Sequence, residues 1–145
     1  MSKYIYKELD SKINKLTNGL ILITNSFDKA EIKIQDYKYI SLGESLSKKL
    51  IKNDKVIRNR KVKLELDNII LNNDNTSLVV DNIDILFNPE YKLNILKYFE
   101  NVSKKKKIIL VWPGNLDKNE LVYSKLEFND YKRYKIKDYN FILLK

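Results

Sequence analysis

Asp81 and Asn82 close a short apolar run, Leu78-Val79-Val80, inside a stretch from Ser77 to Pro89 that organises the rest of the chain. A β-branched run of this length, opened by polar residues and closed by an acidic one, fits a strand buried on both faces of a parallel sheet. Ligands of such sheets sit beyond the carboxyl ends of the strands, where Asp81 falls. An aspartate so placed is the residue type that holds the magnesium of a bound nucleotide. The plain alternative is a core strand that stops at a turn, its polar residues occupied by hydrogen bonds.

A second chemistry open to this chain is phosphate binding. Lys29 follows the first apolar run, within Thr24-Asn25-Ser26-Phe27-Asp28-Lys29-Ala30-Glu31. Arg58, Arg60 and Lys61 form one basic segment, Lys104, Lys105, Lys106 and Lys107 a second, and Arg133 stands between Tyr131 and Tyr134 as a third. Lysines contact phosphate backbones, and tyrosine rings stack on bases. Against that, lysine runs are commonly solvated, and the two rings could cover the last strand while Arg133 pairs with a carboxylate. The net charge of +9 comes almost wholly from lysine in a chain also crowded with Asn, Ile and Tyr. That bias points to codon supply as much as to nucleic acid, and base-reading contacts favour arginine.

Cysteine and histidine are absent from the 145 residues. Disulfides, thiolate and imidazole metal sites, cysteine nucleophiles and serine–histidine pairs are thereby excluded. Carboxylates, lysines, hydroxyls and backbone groups remain. No apolar run approaches bilayer length and the first residues show no export signal, so a cytoplasmic protein without membrane contact is expected.

The elements that position these residues are legible as an alternation. Residues 3 to 17 place Ile5, Leu9, Ile13 and Leu16 at helical spacing, and Asn18-Gly19 reads as its C-cap. Leu20 to Asn25 is predicted to be a central strand and Tyr39 to Leu42 a shorter one, followed by a helix from Gly43 to about Asn53. Residues 54 to 61 read as a polar connection, and Val62 to Asn72 as an ambiguous segment that leans to helix. A helix is expected from Pro89, with Leu93, Leu96, Tyr98 and Phe99 inward. Ile108 to Trp112 is another apolar strand, with Pro113-Gly114 ending it. Trp112-Pro113-Gly114-Asn115 marks either a polar, nucleotide-sensing strand end or a buried tryptophan with a turn. Leu121 to Tyr123 and Phe141 to Leu144 are the last strands. One α/β domain spanning residues 1–145 is expected, with a mostly parallel sheet covered by helices on both faces.

The order of these strands resembles that of P-loop ATPases, with Asp81 at the Walker B position. More specifically, the second half resembles the BrxF family, small P-loop proteins of type 3 BREX (bacteriophage exclusion) systems. The matching residues are Val79-Val80-Asp81-Asn82-Ile83-Asp84-Ile85-Leu86-Phe87-Asn88-Pro89, Ser103-Lys104, Val111-Trp112-Pro113-Gly114 and Tyr131-Lys132-Arg133-Tyr134. Tyr39-Ile40-Ser41-Leu42 with Leu46-Ser47-Lys48-Lys49-Leu50 is similar to the family's segment after its phosphate loop. The resemblance implies a three-layer P-loop NTPase-like fold of the AAA/ASCE type and a place in anti-phage defence. It breaks at the phosphate loop, where Thr24 to Glu31 carries no glycine and no Lys-Ser/Thr pair. Asp28 and Glu31 would repel an anion near Lys29, and Asn82 stands where many ATPases have a glutamate. The resemblance therefore implies a non-catalytic scaffold subunit, with no bound cofactor, that assembles with other defence proteins or with itself. A basic DNA- or RNA-binding module is the alternative reading, and a P-loop ATPase holding ATP and magnesium at Asp81, Asn82 and Lys29 the third.

Overall fold

The computed structural model describes residues 5–6, 19–24, 37–71 and 77–144. The apolar runs form a six-stranded sheet of β1 (Ile5–Tyr6), β2 (Gly19–Ile23), β3 (Tyr37–Ser41), β4 (Ser77–Asp81), β5 (Lys107–Val111) and β9 (Ile142–Leu144). Their order across the sheet is β1-β9-β2-β5-β4-β3, and each pairing is parallel. A separate antiparallel sheet joins β6 (Asn115–Asp117), β7 (Glu120–Tyr123) and β8 (Lys132–Lys135).

The described residues include three α-helices, with short 3-10 turns at Asp84–Phe87, Pro89–Tyr91 and Ile136–Asp138. The α-helices are α1 (Leu42–Leu50), α2 (Lys55–Ile70) and α3 (Ile95–Val102). The first two connect β3 to β4, and α3 connects β4 to β5. Leu42, Leu46 and Leu50 of α1, Val62, Leu66 and Ile70 of α2, and Ile95, Leu96 and Phe99 of α3 are buried with one set of strand residues, Leu20, Leu22, Leu78, Val80, Ile108 and Leu110. The alternate set, Ile21, Ile23, Val79, Ile109 and Val111, is buried on the opposite face of the sheet. A strand enclosed on both faces has no use for alternation, which is why these segments read as continuous apolar runs. No described helix is long and apolar enough to cross a membrane.

Three expectations are corrected. Ile5 and Tyr6 pair as a strand beside β9 and are not helical; the rest of that segment lies outside the described residues. A two-residue edge pairing leaves no periodicity to read. Residues 55–61 are the first half of α2, not a connection. Asp54 caps that helix by accepting a hydrogen bond from the Ile57 amide at 3.0 Å, and Lys55 forms an ion pair with Glu90 at 2.7 Å. The segment looked polar because its apolar inward face begins only at Val62. Finally, Pro89–Tyr91 is a single 3-10 turn, and Lys92, at φ 50°, breaks it from α3, whose cap is Asn94. A proline in the first turn is permissive of helix and does not propagate it.

Candidate functional site

From β2 the chain proceeds to β3 at one edge of the sheet, whereas from β5 it returns to β9 on the far side of β2. Neighbouring strands whose continuations diverge in this way open a crevice beyond their carboxyl ends, the usual ligand position in open α/β sheets. Thr24, Ser41, Asp81 with Asn82, and Trp112 end the strands on that edge.

Asp81 is engaged on both oxygens. The Tyr39 hydroxyl on the adjacent edge strand donates to Oδ2, and the amide of Asn82 donates to Oδ1 at 2.7 Å. Tyr39 and Asp81 are near neighbours because β3 and β4 pair with Tyr39 opposite Val79 and Ser41 opposite Asp81. Desolvation of the hydroxyl, reinforced by its bond to the carboxylate, pushes the Tyr39 phenol up to about 12. The shift arises although the residue is 51 % exposed.

Asn82 takes the left-handed conformation, φ 56°, a region in which asparagine is tolerated better than most residues. Its side-chain amide donates to the Ser41 hydroxyl at 3.1 Å, and its carbonyl accepts from the Gly43 amide at 2.9 Å. A Cβ on Gly43 would lie 2.7 Å from the Asn82 amide nitrogen, so the glycine permits this approach. Asp81 and Asn82 therefore tie the end of β4 to the end of β3 and the start of α1. Among the described residues no three acidic groups converge as a metal-binding cluster. Lys29 lies outside the described residues; Thr24, at the end of β2, is buried.

At the end of β5, Trp112 is fully buried and extends the β2 ladder, its amide donating to the Ile23 carbonyl at 2.9 Å. Its indole Nε1 donates to the Val122 carbonyl at 3.1 Å, and its ring meets Phe87 and Tyr134 edge-on at centroid distances of 5.5 and 5.8 Å. A Cβ on Gly114 would overlap the Val122 carbonyl oxygen, so the turn after β5 requires glycine for close backbone approach. Of the two readings of Trp112 to Asn115, the geometry is that of a buried tryptophan that bolts the small sheet to the large one.

The basic residues singled out in the sequence differ in their surroundings. Arg133 donates to the Tyr131 hydroxyl at 3.1 Å and is bound by Asp117 at 3.0 Å and by Glu120, which together hold its guanidinium firmly charged. Tyr134 is buried, and its hydroxyl accepts from the Ile95 amide at 3.2 Å. Lys106 and Lys107 are buried, and burial lowers the Lys107 ammonium below its ordinary range. Lys104, Lys105, Arg60 and Lys61 are exposed, and Arg58 is half-buried.

A groove of about 680 Å³ that the sequence did not announce lies between residues 84–89 and residues 124–130. Asp84 and Asp130 face it from positions far apart in the chain, and Ile85, Phe87, Pro89 and Phe128 supply apolar lining. Nothing in the spacing of those residues could have brought the two segments together; the Trp112 contact does. Comparison with protein-family models, curated proteins and solved structures gave no match.

Proposed function

We propose that this chain is a non-catalytic, P-loop-like scaffold subunit of a bacterial anti-phage defence complex, in which the former magnesium aspartate has become a structural residue. One observation carries the reading: both oxygens of Asp81 accept hydrogen bonds, from the Tyr39 hydroxyl and the Asn82 amide. A magnesium ligand needs an accessible oxygen at a site with room for several waters or phosphates. The sheet order adds support, because β5 lies between β2 and the acid-ended β4, the extra central strand that an ASCE-type arrangement has. So does the sequence after β2, which lacks the glycines and the Lys-Ser/Thr pair of a phosphate loop. The burial of Lys106 and Lys107 and the carboxylate clasp on Arg133 weigh against a single nucleic-acid groove.

Calorimetric titration with ATP and magnesium is expected to give no saturable isotherm in the micromolar range, tighter than about −8 kcal/mol. A tagged chain recovered from its native host is expected to bring down other proteins equally with and without nuclease. A clear isotherm lost on Asp81→Ala, or recovery of partners that depends on nucleic acid, would overturn the reading.

A further inference from the structure

The groove beside Phe87 is acidic on a chain of charge +9. Asp84 Oδ2 accepts from the Tyr123 hydroxyl at 2.9 Å, and Asp130 Oδ1 accepts from the Ser124 hydroxyl at 2.7 Å. Among the described residues neither has a lysine or arginine within ion-pair distance, whereas Glu65, Glu90, Glu100, Asp117 and Glu120 each have one. Hydroxyl donors fix the two carboxylates without cancelling their charge. Phe87 stacks on Tyr123 at 3.7 Å and forms a rigid floor, while Phe128 stands 54 % exposed at the rim. The result is an apolar concavity with two uncompensated negative charges.

A complementary surface exists on the same molecule. The inward face of α2 is Val62, Leu66 and Ile70, yet its outward face is not simply polar. Ile57, Arg60, Lys61 and Leu64 follow one another at i, i+3, i+4 and i+7, a single stripe along the solvent side. Ile57 is 38 % and Leu64 56 % exposed, and no described residue forms an ion pair with Arg60 or Lys61. Two apolar anchors two turns apart, with two positive charges between them, match a groove with apolar lining and two negative charges.

We propose that the chain associates with itself head to tail, the outer stripe of α2 from one copy lying in the groove of the next. In that contact Ile57 and Leu64 meet Ile85 and Phe128, above the buried Phe87, and Arg60 and Lys61 face Asp84 and Asp130. It is a helix-in-groove contact joining two different surfaces, so each copy keeps one free donor and one free acceptor face. This deepens the scaffold reading by naming one of its partners as a second copy.

The full-length chain, followed by size exclusion with light scattering, should show a mass that rises with concentration. A groove variant, Asp84→Asn with Phe128→Ser, and a helix variant, Arg60→Ser with Leu64→Ser, should each associate about tenfold or more weakly than the unaltered chain. Mixed together, they should form a one-to-one complex that grows no further, because a single intact pair of faces remains. That last result shows that the stripe meets the groove rather than itself, and a mass of the unaltered chain that climbs past two copies distinguishes head-to-tail growth from a reciprocal dimer. Circular dichroism of each variant should match the unaltered chain; if the groove pair unfolds, Asp130→Asn alone is used in its place. An unaltered chain that stays monomeric at all concentrations, or folded variants that assemble like it or fail to combine, overturns the proposal. Such failure leaves the scaffold reading to the recovery of other proteins from the host.

Discussion

A strand-end aspartate can hold a metal or hold the protein, and its hydrogen-bond partners decide which. Tyr39 and the Asn82 amide each hold one oxygen of Asp81, tying the end of β4 to the edge strand and to its own turn. Asp81→Asn keeps a carbonyl for one donor and removes the charge, so thermal stability should change only modestly and assembly with partners should persist. The Tyr39 phenol provides a direct check. A group whose folded pKa is raised above its unfolded value stabilises fully below the unfolded value, near 10 for tyrosine, and this contribution is lost as pH rises toward about 12. Denaturation across that window should show the stability difference between the unaltered chain and Tyr39→Phe shrinking with rising pH. Ultraviolet titration of Asp81→Asn should show one phenol ionising earlier than in the unaltered chain. An unchanged tyrosine titration would place the hydroxyl away from the carboxylate.

Elements are held by a few fixings that can be removed singly. The cap on α2 is the Asp54 carboxylate on the Ile57 amide, and Asp54→Ala should cost about 1 kcal/mol by chemical denaturation. The joint between the two sheets is more demanding. Trp112 donates to Val122, and Gly114 presses its backbone against the same carbonyl. Gly114→Ala must move backbone rather than a side-chain end, so a loss of about 1–3 kcal/mol is expected. It should be accompanied by a change in near-ultraviolet circular dichroism from the Trp112, Phe87 and Tyr134 cluster. If Gly114→Ala proves no more costly than Asp54→Ala, the small sheet is not anchored at this turn. Tyr98 adds a bond between helices, its hydroxyl donating to Asp67 at 2.6 Å, where burial and the carboxylate both push the phenol up.

At the scale of the molecule, positive charge is abundant but unevenly available among the described residues. Of the basic residues singled out in the sequence, Arg133 is clasped, Lys106 and Lys107 are buried, and Arg60, Lys61, Lys104 and Lys105 remain exposed. DNA binding through such residues draws on counterion release, and fluorescence anisotropy should show it vanishing near physiological salt. A protein contact with an apolar centre should persist over the same range in size exclusion. Salt-resistant DNA binding that collapses when Arg58, Arg60 and Arg133 become alanine would promote the nucleic-acid module over the scaffold.

The sequence by itself determined the α/β class, the buried strands β2, β4 and β5, and the carboxyl-end position of Asp81, because enclosed parallel strands leave continuous apolar runs that polar residues must terminate. It also limited the chemistry, since cysteine and histidine are missing. It did not reveal the edge strand at Ile5–Tyr6, the start of α2 at Lys55, or the independent antiparallel sheet, of which the strand at Leu121–Tyr123 was legible while β6 and β8 are too short or too polar to show a period. Only the tertiary structure decided what the polar residues do. Tyr39 reaches Asp81 through the β3–β4 register, Arg133 is clasped by carboxylates of neighbouring strands, and Asp84 meets Asp130 across a groove because Trp112 joins the two sheets. Such partnerships join residues distant in the chain, and local patterns of hydrophobicity carry no record of them.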